Sequence, residues 1–229
     1  MSAFFMQMAK YYLCSLAMLD IILRGEQLKL LAEKAVLWPA QKTLIVSDLH
    51  WGKSGHFRKH GIAIPANSQQ QDELRLASLI KAHGIERLII AGDLFHSRHN
   101  NEVEIFSYWR QAHQSLHIDL IAGNHDILPA EKYTGWQMEL HKNGLYVGPF
   151  AIMHDIPDSC THFCIHGHVH PAVRITGRGN QALKLSCFCE DEERFILPAF
   201  GNFTGTHLLQ PDEHKHIYVI AEQNVIRWK

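Results

Sequence analysis

The chain has almost no surplus charge of either sign: 22 Lys and Arg stand against 23 Asp and Glu, a formal net charge of −1. That balance excludes a global basic field able to hold nucleic acid without regard to sequence, so any such contact must come from a local patch. Cysteine is sparse as well. Five are present, an odd number without disulfide-scaffold spacing, which excludes a cystine-stapled module and leaves free buried thiols in a reducing cytosol as the reading. Cys187 and Cys189 would share one face of a strand, with a zinc or redox pair as the alternative. A long uninterrupted hydrophobic run is also missing. The most apolar stretch, residues 1–23, is broken by Gln7, Lys10 and Ser15; it makes a poor membrane span, and its weak basic start makes a poor signal peptide. Residues 1–17 therefore read as an N-terminal extension or upstream start ahead of a single domain at 18–229, a helix packed on a second subunit of a homo-oligomer being the alternative. Low-complexity linkers and internal repeats are lacking, so 229 residues that are 46% hydrophobic and 20% charged bound one ordinary globular domain of the cytoplasm.

What the chain has in excess is histidine, 18 in all, and six of these, His50, His96, His125, His154, His168 and His170, lie in motifs at the ends of apolar runs. Thr43-Leu44-Ile45-Val46 is of the β-branched kind that fills a central parallel strand, and Ser47-Asp48-Leu49-His50 follows it without a turn. The same event recurs at Arg87–Ala91, which runs into Gly92-Asp93-Leu94-Phe95-His96, and at Ile118–Ala122, which runs into Gly123-Asn124-His125-Asp126. It recurs again where Phe150–Met153 meets His154-Asp155 and where Phe163-Cys164-Ile165 meets His166-Gly167-His168-Val169-His170. Buried strands do not end on unpaired ionisable groups without a reason, because desolvating them is costly; a bound metal ion resolves that cost. Open α/β sheets place ligands at the carboxyl ends of their strands.

In chain order, Asp20 to Pro39 reads as a hairpin with a further strand at Ala35–Trp38, stopped by Pro39. A helix capped by Asn67 or Ser68 runs to about His83, with Leu74, Leu76, Ala77, Leu79 and Ile80 as its apolar face and Gly84 as its stop. A second, about Asn101 to Gln114, puts Val103, Phe106 and Trp109 on one face. Alternation of strands with these helices implies right-handed crossovers and a parallel sheet. Residues 127–148 are mixed, with room for a short helix, and from Pro171 onward the pattern is β, as at Val173–Ile175, Leu183–Cys187, Arg194–Leu197 and Ile217–Ile220. The loop Lys53-Ser54-Gly55-His56-Phe57-Arg58-Lys59-His60 is basic and follows the first strand end; it is either a solvated loop or a rim that steers phosphate.

Asp-x-His, Gly-Asp-x-x-His, Gly-Asn-His-Asp, a strand-end His and Gly-His-x-His, in this order from Asp48 to His170, resemble the calcineurin-like metallophosphoesterase superfamily. Trp38-Pro39-Ala40-Gln41-Lys42-Thr43-Leu44, Asp48–Lys53, His56–Gly61, Gly92–Ser97 and Pro198–Gly205 look like its bacterial DNA ligase-associated, ICC-like members. The resemblance implies an α/β fold, a four-layer α/β-β-α sandwich of two mixed sheets flanked by helices. It implies two divalent metal ions, Mn foremost with Fe or Zn as alternatives. Asp48, His50 and His170 would hold one ion, Asn124, His154 and His168 the other, and Asp93 would bridge them. Two ions about 3.5–4 Å apart clamp the attacking and leaving oxygens of a phosphoryl transfer, and a water between them is activated as hydroxide. The donor set has no thiolate, which argues against a structural zinc site.

His125 and Asp126 are the candidate catalytic pair. His125 is not needed for coordination, and its counterpart in the superfamily stabilises the transition state or protonates the leaving oxygen; Asp126 would orient the loop. Many phosphoprotein phosphatases of the superfamily carry Asp followed by Arg-Gly where this chain has His96-Ser97-Arg98, a departure that favours diesterase or nuclease work. His154-Asp155 also replaces a common His-Gly. Arg58, His96 and Arg98 are the candidate substrate-binding residues, Arg being suited to forked phosphate contact. The expected function is a dinuclear-metal phosphodiesterase, on nucleic acid in DNA repair beside ligase or helicase partners by resemblance. The alternatives are a small-molecule nucleotide phosphoesterase and a non-catalytic metal-binding scaffold. No membrane association is expected.

Overall fold

Arg24 and Gly25 both take positive φ, 50° and 87°, the conformation that lets a two-residue turn match the twist of paired strands. They join β1 (Met18–Leu23) to β2 (Glu26–Leu31) in register from Leu23↔Glu26 to Met18↔Leu31. β3 (Ala35–Trp38) continues the meander, and Pro39 opens a single 3-10 turn that reverses the chain into β4 (Thr43–Val46). Pro39 therefore ends the strand, and pairing resumes beyond it at Trp38↔Thr43. The computed structural model describes residues 18–51, 68–95, 100–156, 161–177, 181–202, 204–210 and 213–228. The N-terminal extension, the basic loop with Arg58, and His96 and Arg98 lie outside the described residues.

From β4 onward the first sheet is parallel. α1 (Ser68–His83) leads to β5 (Arg87–Ile90), α2 (Asn100–Ala112) to β6 (His117–Ile121), and α3 (Ala130–Gly135) to β7 (Met138–His141), giving the order β1-β2-β3-β4-β5-β6-β7. The second sheet comprises β8 (Leu145–Val147), β9 (Phe150–Met153), β10 (Phe163–His166), β11 (Pro171–Thr176), β12 (Ala182–Glu190), β13 (Arg194–Ile196), β14 (His207–Leu208), β15 (His216–Ala221) and β16 (Asn224–Arg227). Its main path runs β14-β11-β12-β13-β10-β9-β8, with β15 on β12 and β16 on β15. β9, β10 and β13 are mutually parallel, so the strands that end on His154 and at His166 point the same way. The α/β sandwich of two mixed sheets is thus the architecture that the strand rhythm and the resemblance led to.

Strand alternation splits the core in two. Leu44, Val46, Leu88, Ile90, Ile118 and Leu120 face the helices, where Leu76, Leu79, Ile80, Phe106, Trp109 and Tyr133 meet them. Ile45, Ile89 and Ile121 face the other way, against Phe150, Ile152, Ile165, Phe188 and Phe195 of the second sheet. Leu74, expected on the buried face of α1, is instead 48% exposed; two residues before Leu76, it projects from nearly the opposite side of a 3.6-residue period. Residues 127–148 hold the short helix and, in addition, β7 and β8, whose three or four half-buried residues give too short a pattern to read. Cys187 and Cys189 do share a face; both are buried among Val173, Ile217 and Val219, and burial, with Cys189 beside it, pushes the Cys187 thiol up to about 12. No helix among the described residues is long and apolar enough to cross a membrane.

One buried charge inside the fold invites a pH prediction. Asp119 is fully buried, with Arg87 Nε 2.7 Å and His117 Nε2 3.1 Å from Oδ2 and His141 Nε2 2.7 Å from Oδ1. Burial pulls its carboxyl up, but the hydrogen bonds from Arg87 and His141 and the nearby positive charge outweigh this and leave it below the ordinary value. A depressed acid contributes stability that is complete above its unfolded value of about 4 and is lost as the pH falls through the folded value. Acid titrations of unfolding on wild type and Asp119→Asn should show the wild type losing its advantage below about pH 4; parallel curves there would mean that the carboxylate contributes nothing through its charge.

Candidate metal centre

The backbone beyond β4 does not leave β5 when the strand ends. Asp48 N donates to the Gly92 carbonyl at 3.0 Å, His50 N to Asp93 O at 2.9 Å and Trp51 N to Leu94 O at 2.7 Å. Two chain segments thus run on side by side past the sheet edge and bring Asp48, His50 and Asp93 together. Asp48, His50, Asp93, His168 and His170 all have positive φ, between 46° and 65°. L-residues avoid that region at a cost of roughly 1–2 kcal/mol each; five of the ten described non-glycine residues that adopt it are candidate ligands. The glycines of the motifs have a steric reason. A Cβ on Gly92 would stand 2.1 Å from His154 Nδ1, one on Gly123 2.3 Å from Asp93 Oδ1, and one on Gly167 2.4 Å from Asp48 Oδ2.

Two donor groups result. Asp48, His50 and His170 offer atoms within 4.8 Å of one another, as do Asp48, Asp93 and His154. Asp93 lies between them, with Oδ2 3.8 Å from His50 Nε2 and Oδ1 3.6 Å from His154 Nε2. His154 Nδ1 donates to the Ala91 carbonyl at 3.1 Å, which turns the Nε2 lone pair inward. Asn124 Oδ1 lies 2.8 Å and His168 Nδ1 3.1 Å from that same Nε2. His170 Nδ1 likewise donates to the Gly205 carbonyl at 3.0 Å. His170 Nε2 lies 2.9 Å from the buried Asp48 Oδ1. Asp48, His50 and His170 thus converge their donor atoms on one buried point, the arrangement a cation needs. Burial would raise the Asp48 carboxyl, but contact with His170, the field of His154 and the His168 N–H outweigh it and hold the group below its ordinary value. The donor set therefore fits divalent metal: imidazole, carboxylate and amide oxygen, deprotonated and converging.

His125 donates its backbone N–H to Asp93 Oδ1 at 2.9 Å, and its ring stands edge-on to His50 with centroids 5.4 Å apart. Asp126 does not face the donors. Its Oδ1 accepts from Leu94 N at 3.0 Å and Phe95 N at 3.3 Å, and its Oδ2 accepts from Gly123 N at 3.0 Å. Burial, with Asp93 adding to it, pushes its carboxyl up to about 7 against the Gly123 and Phe95 N–H donors and the field of His154. The structure thus brings together Asp48, His50, Asp93, Asn124, His125, His154, His168 and His170, and puts Asp126 behind them as a tie between loops.

Sequence reasoning passed over a second tie. Phe200 N and Gly201 N donate to the carbonyls of Ser47 and Asp48, at 2.8 and 3.1 Å, and Gly201 is so close to Leu49 that a Cβ would sit 2.5 Å from its carbonyl oxygen. Arg75 of α1 donates to the Phe200 carbonyl and lies 4.2 Å over its ring, while Asp72 accepts from Asn202 N at 3.1 Å and Nδ2 at 2.7 Å. The helix thereby clamps the loop that props Asp48. Pro198–Gly205 had stood out only as resembling a family; the partners on α1, more than a hundred residues away, carried no local signal.

The sequence profile of the calcineurin-like phosphoesterase domain matches residues 41–217. The crystal structure of Pseudomonas putida nuclease MPE is similar over 91% of this chain and 98% of that one, at 33% identity and a TM-score of 0.75. No curated protein sequence matches.

Proposed function

Because the chain belongs to the calcineurin-like phosphoesterase family, and so is a metal-dependent phosphoesterase, we propose that it is a phosphodiesterase acting on nucleic acid. The observation that carries this reading is the likeness to a nuclease along nearly the whole of both chains. Asp48, His50 and His170 would hold one divalent ion, Asn124, His154 and His168 a second, and Asp93 would serve both. Mn2+ is the ion the family resemblance favours; Fe and Zn suit the same imidazole, carboxylate and amide donors. Such ions supply Lewis-acid charge to the phosphoryl oxygens and to water.

The side chains of this protein do the rest. The Nδ1–H bonds of His154 and His170 to backbone carbonyls fix their tautomers, so both present Nε2 to the centre. Asp93 anchors the backbone of His125, which would set that imidazole to hand a proton to the leaving oxygen. Action in DNA repair, beside ligase or helicase partners, is supported by the resemblance of Trp38–Leu44, Asp48–Lys53 and Pro198–Gly205 to ligase-associated members and extends the same proposal.

The test is hydrolysis of an aryl phosphodiester and its monoester, side by side, with Mn2+ and with chelator. The diester should be cleaved well above the monoester and only with metal; monoester preference would replace the nuclease reading with a small-molecule phosphatase. His125→Ala should keep bound metal and lose about 10²-fold in turnover, the usual cost of removing a general acid. Unchanged turnover would remove His125 from the mechanism.

A further inference from the structure

Beside His154 a cleft of about 560 Å3 is lined by the ends of β6 and β9 and the loop after β9 with Asp155, inside the ~300–1,000 Å3 range of small-ligand sites. Its floor is apolar, made by Ile121 and Met153. Its outer wall is the link from β7 to β8, with Lys142 and Asn143, and then Tyr146 on β8 itself. Gly144 keeps this wall in place: at φ 94° it passes so near β9 that a Cβ would stand 3.0 Å from Met153 Cγ and 3.1 Å from the Ile152 carbonyl. Tyr146 is 59% exposed, uncommon for a large aromatic on a strand, and the imidazole of His162 holds its ring edge-on with centroids 5.1 Å apart. An apolar floor, an upstanding ring, an amide and a cation, starting at a candidate ligand of the metal centre, match the parts of one nucleotide: base, base edge and phosphate.

We propose that this cleft seats the nucleoside flanking the scissile phosphate, with Tyr146 as the platform on which its base stacks and Lys142 meeting the next phosphate. The proposal rests on the nuclease reading and deepens it, since it assigns the preference for a nucleotide over a bare diester to residues outside the metal centre. Lys142 and Tyr146 lie in the segment whose pattern is least legible in the sequence, so only the fold reveals their nearness to His154.

The experiment measures kcat/KM of the Mn2+-loaded full-length protein on a dinucleotide and on its two counterparts in which one or the other nucleoside is replaced by an abasic sugar. The wild type should favour the dinucleotide over one abasic counterpart by about tenfold or more, the worth of one stacked base. Tyr146→Ala should bring the dinucleotide down to that abasic level and leave the abasic substrate untouched, whereas Tyr146→Phe should retain the preference. Equal cleavage of all three by the wild type, or an equal loss on all three in Tyr146→Ala, would overturn the subsite and leave the nuclease reading standing. Failure to cleave any of them, with the aryl diester still hydrolysed, would instead overturn the nuclease reading.

Discussion

Asp93→Asn should abolish turnover by more than about 10³-fold and leave the protein folded. The two effects separate because Asp93 does two things. Its Oδ1 accepts the backbone N–H of His125, and an Asn oxygen can do the same at the same place. Its charge is another matter. Asp93 is 3% exposed and stands between His50 and His154, so in the proposed mechanism it is the anion common to both cations. Asn keeps the shape and removes that anion, and two divalent charges are then held close together without a shared counter-charge. Metal stabilisation of a phosphoryl transition state is worth several kcal/mol, and at 1.36 kcal/mol per tenfold a loss of about 4 kcal/mol gives the stated factor. Metal content and thermal unfolding measured together decide it. Loss of activity with fewer bound ions, and an unfolding temperature equal to that of the wild type when both are measured in chelator, is the expected set. Full activity with Asn at this position would refute the bridging role.

The centre was legible from sequence to an unusual degree because its parts fall where a periodic pattern breaks. Val46, Ala91, Ala122 and Met153 end apolar runs, and Asp, Asn or His follows within two residues; since burial of such groups is costly, the break is informative whatever the fold. Right-handed connection of parallel strands then puts those ends on one edge, and the described strands β4, β5 and β6 do lie side by side and parallel. What the pattern could not carry is what depends on pairs distant in sequence. The positive φ of Asp48 and Asp93 is imposed by their neighbours and has no glycine to announce it. The support from Arg75 to Phe200 crosses 125 residues. β7 and β8 are short and half-buried, so the cleft wall they build was read only as a mixed stretch. The candidate substrate residues Arg58, His96 and Arg98 lie outside the described residues.

Asp126→Ala should be strongly destabilising although its side chain touches no candidate ligand atom. The carboxylate accepts from Leu94 N, Phe95 N and Gly123 N. Leu94 and Phe95 follow Asp93, and Gly123 precedes Asn124. One side chain therefore sets the spacing between the loop after β5 and the loop after β6, each of which carries a candidate ligand. A buried donor stripped of its acceptor costs about 1–3 kcal/mol; with partial relaxation, a total of about 3 kcal/mol is the expectation for three. For a chain of this size that lowers the unfolding temperature by roughly 6–12 °C. Asp126→Asn offers a single oxygen, and its amide NH2 faces a backbone N–H on the other side, so it should recover only part of the loss. A calorimetric comparison of the two variants reads this directly. Were Asn as damaging as Ala, the carboxylate charge rather than its acceptors would be what holds the loops, because the shape and one acceptor survive in Asn. Were neither variant destabilised, the two loops would have to be held apart by the strands alone, and the raised pKa of Asp126 would mark only a buried group with no structural task.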